Sequence, residues 1–203
     1  EEAILNKSVR EPAVPWTESR AAGEVEPIPT FPAWVTLNKD VPEVEEMLGK
    51  NKKLIKKVYE TDCQNIITLK KIINKHGWPT FDLVGKRASK SFWLLVQHSD
   101  NDLKFQKQCL GLLTAAAKRG QAQLKYVAYL TDRIRMADGK KLKFGTQYLT
   151  NDGEPIIRPV INPRGLDKLR KEYGMDTVVE QTVRLKKQCA KFFKDAKLRA
   201  NKK

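Results

Sequence analysis

Between Leu54 and Met136 the apolar residues recur three or four positions apart, and only one proline, Pro79, interrupts the run. That spacing lines up apolar side chains on one face of successive α-helices, whereas a half-buried strand needs strict alternation. The first row runs through Leu54, Ile55, Val58, Asp62, Ile66, Leu69, Ile72 and Ile73, with Asp62 and Asn65 on or beside its inner stripe. Gly77 should end this helix and Pro79 should prevent its resumption. Ser89 is expected to cap a second helix that carries Phe92, Trp93, Leu95 and Val96 and ends at His98. Asp100 is expected to cap a third, with Leu103, Leu110, Leu113 and Ala117 on one face and Gly120 as its stop. A fourth covers about Gln123 to Met136.

After Asp138-Gly139 the period changes. Leu142, Phe144, Thr146 and Tyr148 alternate, Asn151-Asp152-Gly153 reads as a turn, and Ile156, Arg158 and Val160 return as a second strand. Asn162-Pro163 opens a further helix ending at Gly174, and Asp176 is read as the cap of a last one. The expected fold class is mainly α (α+β): a bundle-like helical domain over residues 43–180, with one short β-hairpin near 140–160.

Flanking this domain are an extended acidic arm over residues 1–42 and a basic C-terminal helix over 181–203. The arm holds six of the chain's ten prolines, which remove amide donors and bias their neighbours toward extended backbone. Trp16, Phe31 and Trp34 lie between them as apolar anchors, so the arm is read as a partner-binding segment, with another protein chain or the domain itself supplying the pockets. A helix is expected to begin at the Asp40/Glu43 capping box, with Gly49 interrupting it.

Charge divides the chain in the same way. Residues 1–50 hold 5 Lys/Arg against 10 Asp/Glu, whereas the remainder holds 34 against 14. A domain this basic attracts RNA, anionic lipid headgroups or acidic protein surfaces, unless its lysines serve solubility alone. Lys52, Lys53, Lys56 and Lys57 form one basic run, and Lys186, Lys187, Lys191, Lys194, Lys197 and Arg199 form another. In the second, Phe192 and Phe193 admit two readings: rings that stack on bases, or rings that pack against the domain.

The order DxxN (Asp62, Asn65), GWP (Gly77 to Pro79), LVG (Leu83 to Gly85), WLLVQHxD (Trp93 to Asp100), FQxxCL (Phe105 to Leu110), AYLTDR (Ala128 to Arg133) and GTQ (Gly145 to Gln147) resembles an uncharacterised bacterial domain family. The resemblance covers roughly residues 60–188. It implies a shared fold and no particular reaction.

Candidate chemistry gathers in the same segments. His98, Asp100 and Asp102 admit an acid/base or a metal reading, against one in which both carboxylates serve the start of a helix. Asp132 and Arg133 are adjacent and suit a buried pair that fixes packing. Asp62, Asn65, Trp78, Trp93, Gln97, His98, Tyr129, Asp132, Arg133 and Gln147 would line a pocket if they converge. His98, Asp100 and Arg133 are its catalytic candidates. No metal site and no cofactor is expected. The phosphate-binding patterns GxxxxGK[ST] and GxGxxG are absent, as is the GxSxG elbow.

Cys63, Cys109 and Cys189 are far apart and form no CxxC, so a reducing compartment is favoured over a disulfide framework. The start at Glu1 leaves a removed targeting sequence, and hence an organelle matrix, as one expectation. No run approaches the length of a membrane span.

Three functions compete on these grounds. The first is a non-catalytic accessory subunit of a large assembly containing RNA, held by its arm and basic tail. The second is an enzyme with a polar pocket around His98, and the third is a peripheral subunit of a membrane complex.

Overall fold

The computed structural model describes residues 52–151 and 154–200. The arm with Trp16, Phe31 and Trp34, the Asp40 cap and the Gly49 break lie outside them, as do the turn residues 152 and 153. Of Lys52 and Lys53, and of the tail from Lys191 onward, only the backbone is described.

Helix α1, Lys52–His76, turns Ile66, Leu69 and Ile73 inward. Its last turn closes through Gly77 N–H on the Ile73 carbonyl, with Gly77 at φ +68°. Only four residues then lead into α2, Phe81–Gln97, so the two helices run antiparallel. This second helix begins eight residues before the expected Ser89, which is buried in its interior. The cap at Thr80 makes no side-chain bond. Instead a turn at Gln121 satisfies the first amides: Phe81 N–H donates to the Gln121 carbonyl and Asp82 N–H to Gln121 Oε1, both at 3.1 Å. A contact distant in sequence therefore replaces the local cap. Gly85, at φ 76° and ψ 165°, breaks the helix after its first turn.

Helix α3, Leu103–Lys118, is capped by Asp102 and not by Asp100, because Asp102 accepts from Phe105 N–H at 2.9 Å. The chain turns back against it as α4, Leu124–Ala137. Helices α1 to α4 enclose one apolar cluster that includes Phe92, Val96, Phe105, Cys109, Leu113 and Leu130. Trp93 stacks on Tyr126 with ring centres 4.1 Å apart and meets Tyr129 edge-on at 5.9 Å.

The hairpin is shorter than its alternating pattern and displaced from it, its first strand beginning at Tyr148, where the pattern from Leu142 ends. Strand β1, Tyr148–Asn151, pairs antiparallel with β2, Glu154–Ile157, with Tyr148 opposite Ile157. Leu142 joins only through an isolated parallel bridge to Val160. Residues 143–146 form no strand because their amides have another acceptor, the wholly buried side chain of Asp132. Oδ1 accepts from Lys143 N–H at 2.7 Å and Oδ2 from Thr146 N–H at 2.9 Å; Phe144 N–H reaches both oxygens at 3.1 Å, and the Thr146 hydroxyl adds a bond to Oδ2 at 3.1 Å. Gly145 completes this loop at φ +64°, where a Cβ would stand 2.7 Å from Ile157 Cδ1.

Helix α5, Leu166–Glu172, and helix α6, Val178–Ala200, follow. The cap of α6 is Thr177 and not Asp176. Glu180 N–H donates to the Thr177 hydroxyl while Glu180 Oε2 accepts from Thr177 N–H, a reciprocal capping box. Asp176 is drawn aside by an ion pair with Arg184.

Arg170 of α5, fully buried, ties these pieces together. Its guanidinium donates to the carbonyls of Phe144 and Asp176, both at 2.7 Å, to that of Gly145 at 3.2 Å, and to Gln181 Oε1. The architecture is thus mainly α with one small hairpin, and among the described residues six helices are present. No helix of the described residues is long and apolar enough to cross a membrane.

Asp132→Ala should lower unfolding free energy by about 2–5 kcal/mol, since each buried amide left without a partner costs about 1–3 kcal/mol. Urea unfolding reads this directly. A loss under about 1 kcal/mol would mean that the 143–146 loop is held by something else.

Candidate functional site

The C-terminus of α2, the loop into α3 and the C-terminal half of α4 meet at one end of the bundle. Arg133 is buried, and its Nε donates to Asp100 Oδ1 at 2.8 Å while its terminal nitrogen reaches Oδ2, a two-point ion pair. The Asp100 side chain is 36% exposed and that of Arg133 only 4%, so the pair opens to solvent on its acidic side alone. Asp100 takes this role because Asp102 occupies the cap position two residues on and also pairs with Lys70 at 2.5 Å.

Behind the pair lies a buried amide relay. Gln106 Nε2 lies within hydrogen-bond reach of Asp100 Oδ1 at 3.3 Å and of the Val96 and Gln97 carbonyls at 3.2 and 3.3 Å. Gln97 Nε2 in turn donates to the Tyr129 carbonyl at 3.3 Å, and Trp93 Nε1 to the Tyr126 carbonyl at 3.2 Å. Both bonds fasten α2 to α4. The side-chain oxygens of Gln97 and Gln106 are buried without a hydrogen-bond partner among the described residues.

His98 sits at the rim of this cluster, half-buried. Burial, reinforced by the Arg133 charge and partly offset by Asp100, lowers its pKa to about 4. The imidazole is therefore neutral at ordinary pH and can accept or donate one hydrogen bond. Asp62 of α1 faces the same group, and burial together with the Asp100 charge raises its pKa. The arrangement sets a neutral imidazole and a carboxyl group of raised pKa around the same Arg133–Asp100 pair.

The expected pocket residues divide between this cluster and other places. Asp62, Gln97, His98, Asp100 and Arg133 come together at the bundle end, and Trp93 and Tyr129 form its aromatic backing. Asn65 lies half-buried three residues along α1. Trp78, at the other end of α2, packs edge-on against Phe92 with ring centres 5.3 Å apart and belongs to the core. Asp132 and Arg133 do not pair with each other: the first holds the 143–146 loop and the second holds Asp100. Gln147 Nε2 donates to the Thr146 hydroxyl at 3.2 Å and so joins the Asp132 group.

Around Tyr129 a further set gathers on α6. Burial raises the Tyr129 pKa, while the charges of Arg184 and Arg170 oppose that shift. Nearby, the Tyr148 and Thr182 hydroxyls bond at 3.3 Å.

Among the described residues no three His, Cys, Asp or Glu side chains are grouped as metal ligands. Cys109 is a core residue whose thiol burial pushes up to about 12. Gln106 and Arg170 are central residues that the sequence reading passed over. Gln106 carried a signal, since it falls on the apolar row of Cys109, Leu110 and Leu113. So did Arg170, four residues after the buried Leu166.

Fold and site together define a mainly helical domain whose polar side chains lock the end of a bundle to a glycine-bearing loop. The chain belongs to the family of unknown function DUF6624, whose model matches residues 45–193. No curated protein and no solved structure matches it.

His98 makes stability depend on pH with a definite sign. An ordinary histidine titrates near 6.5, so the unfolded chain takes up this proton first and protonation favours unfolding. Stability attributable to His98 is complete above about pH 6.5 and is lost as pH falls toward about 4, by up to about 3 kcal/mol. His98→Asn should flatten the difference between urea curves taken at pH 7 and pH 4.5.

Proposed function

We propose that this chain is a non-catalytic accessory subunit of a larger assembly containing RNA, with a domain over residues 43–180, an N-terminal arm over 1–42 that binds a protein partner, and a basic helix over 181–203. The supporting observation is the use made of its polar groups. Asp132, Arg133 and Arg170 are engaged with other side chains and with backbone, while most of the described lysines face outward. Asp132 meets four donor groups, Arg133 meets Asp100, and Arg170 meets four acceptors. A reaction centre needs groups left over for a substrate, and these have few.

The exposed cations have the opposite character. Lys56 and Lys57 stand exposed on α1, the former within 3.9 Å of Glu60 in a surface pair that contributes little. Lys187 is exposed on α6, and Lys191, Lys194, Lys197 and Arg199 continue that helix. The segments GWP, WLLVQHSD, AYLTDR and GTQ we take to be the framework shared across the family, because the last three supply the bundle-end locks and GWP supplies the turn into α2 with a core tryptophan. RNA is the preferred polyanion over anionic lipid because Phe192 and Phe193 lie within the tail's cations, where rings can stack on unpaired bases.

A second reading, an enzyme with a pocket around His98, draws on one observation: a neutral imidazole and a carboxyl group of raised pKa lie beside the same ion pair. Opposite environments of this kind are how acid and base roles are divided. The third reading, a peripheral membrane subunit, draws on the same cations.

Copurification from native source, with and without ribonuclease, separates these readings. Release of the chain by ribonuclease is expected; retention on membranes favours the third. In solution, a labelled single-stranded RNA should bind with log affinity falling against log salt at a slope of about −4 to −5 for six phosphate contacts, at roughly 0.7 each. Changing Lys191, Lys194, Lys197 and Arg199 to glutamine should lower that slope by about 3. A flat salt response in the unaltered chain would end the RNA reading.

A further inference from the structure

Carboxylates are concentrated at one end of the bundle, whereas cations stand at both. Asp100, Asp102 and Asp138 lie at the end formed by the α2 and α4 C-termini, where Arg133, Lys70 and Lys107 pair with them. The opposite end joins the α1 and α3 C-termini to the start of α2, as the bonds of Phe81 and Asp82 to Gln121 require. It carries Lys75, Lys86, Arg87, Lys90, Lys118 and Arg119, all exposed, and its acid is Asp82. Among the described residues no ion pair joins these six cations to a carboxylate.

Local stability explains only half of them. Lys75, Lys118 and Arg119 stand at helix C-termini, where the helix dipole favours positive charge. Lys86, Arg87 and Lys90 stand in the opposite situation. Gly85 breaks α2, so Lys86 and Arg87 occupy the first turn of the resumed helix, where the dipole disfavours cations, with Lys90 one turn further on. Lys86 and Lys90 are also like charges at i and i+4, which repel. A solubilising surface has no need to place cations against the helix that bears them.

We infer that this end of the bundle is a docking surface for the phosphate backbone of double-stranded RNA, an inference that rests on the RNA-containing reading above and adds a face distinct from the tail. Trp78, Phe92 and Tyr126 are buried and Phe81 is half-buried, so apart from the exposed imidazole of His76 this end presents no ring fully open to unpaired bases, and its six cations make phosphate the main group recognised. Leu83 and Leu124 are exposed at the same end, 58% and 43%, which makes an anionic bilayer the competing ligand. They are two single residues on separate elements, less than the continuous apolar face that inserts into a bilayer.

The test compares the full chain with its Lys86→Glu/Arg87→Glu/Lys90→Glu variant on a labelled 20-base-pair RNA duplex across a salt series, with thermal unfolding alongside. The variant should lose at least about tenfold in affinity at 0.1 M salt, and its slope should fall by roughly 2.7, at about 0.9 per phosphate contact. Its melting temperature should stay level or rise, because the dipole conflict is relieved. The milder glutamine triple variant should fall between the two in affinity. Equal duplex binding by variant and unaltered chain overturns the inference while leaving the RNA reading intact. Binding of neither to any RNA overturns both. A variant that loses affinity together with melting temperature marks the three residues as structural. Loss of binding to phosphatidylserine vesicles with duplex binding unchanged assigns the face to lipid instead.

Discussion

The buried side chain of Asp132 is the constraint on which the second half of this domain depends. It sits on α4, in the apolar bundle, and accepts hydrogen bonds from the amides of residues 143, 144 and 146 and from the Thr146 hydroxyl. A buried carboxyl group without donors is costly, and so is a loop whose amides are withdrawn from water. Each satisfies the other. The loop so held delivers the Phe144 and Gly145 carbonyls to Arg170, and Arg170 reaches Gln181 at the start of α6. Two buried polar side chains thereby connect bundle, loop, α5 and the basic helix, where a small hairpin could bury little apolar area of its own.

A different economy governs the first half. Helices α1 to α4 pack through Phe92, Val96, Phe105, Leu113 and Leu130, and the polar residues at one end trim that core without building it. The Arg133–Asp100 pair, the Gln106 relay and the two side-chain bonds from α2 to the α4 carbonyls fix how the helices meet. Buried polar contacts of this sort contribute more to a unique arrangement than to net stability. The neutral His98 beside them follows from the same burial, since a second cation next to Arg133 is only partly compensated by Asp100.

Acids are concentrated at one end of the bundle while cations stand at both, and which cations are left without acids bears on function more directly than total charge. Cations that complete ion pairs or sit at helix C-termini are accounted for by the fold. Those at the restart of α2 are not. Where local rules are broken without a stabilising return, a binding surface is the reading that gives the breach a cause.

The helices and the hairpin were legible because period and turn chemistry are properties of neighbouring residues: Leu54 to Ile73 announce α1, and Gly77-Pro79 announces its end. The start of α2 was misplaced because its cap comes from Gln121, some forty residues away, which no local window contains. Similarly, Asp100 and Asp102 are equally good caps by type, and Lys70 with Arg133 decides between them in space. The alternation from Leu142 to Tyr148 is a true strand pattern, yet Asp132 takes the amides that a strand would need. Arg170 was passed over because charge alone does not reveal which carbonyls will surround it. Sequence by itself determined where the chain is helical and which residues are apolar enough to meet; only the tertiary structure decided which partner each charged side chain received, because hydrogen bonds and ion pairs act over a few ångströms in space without regard to separation along the chain.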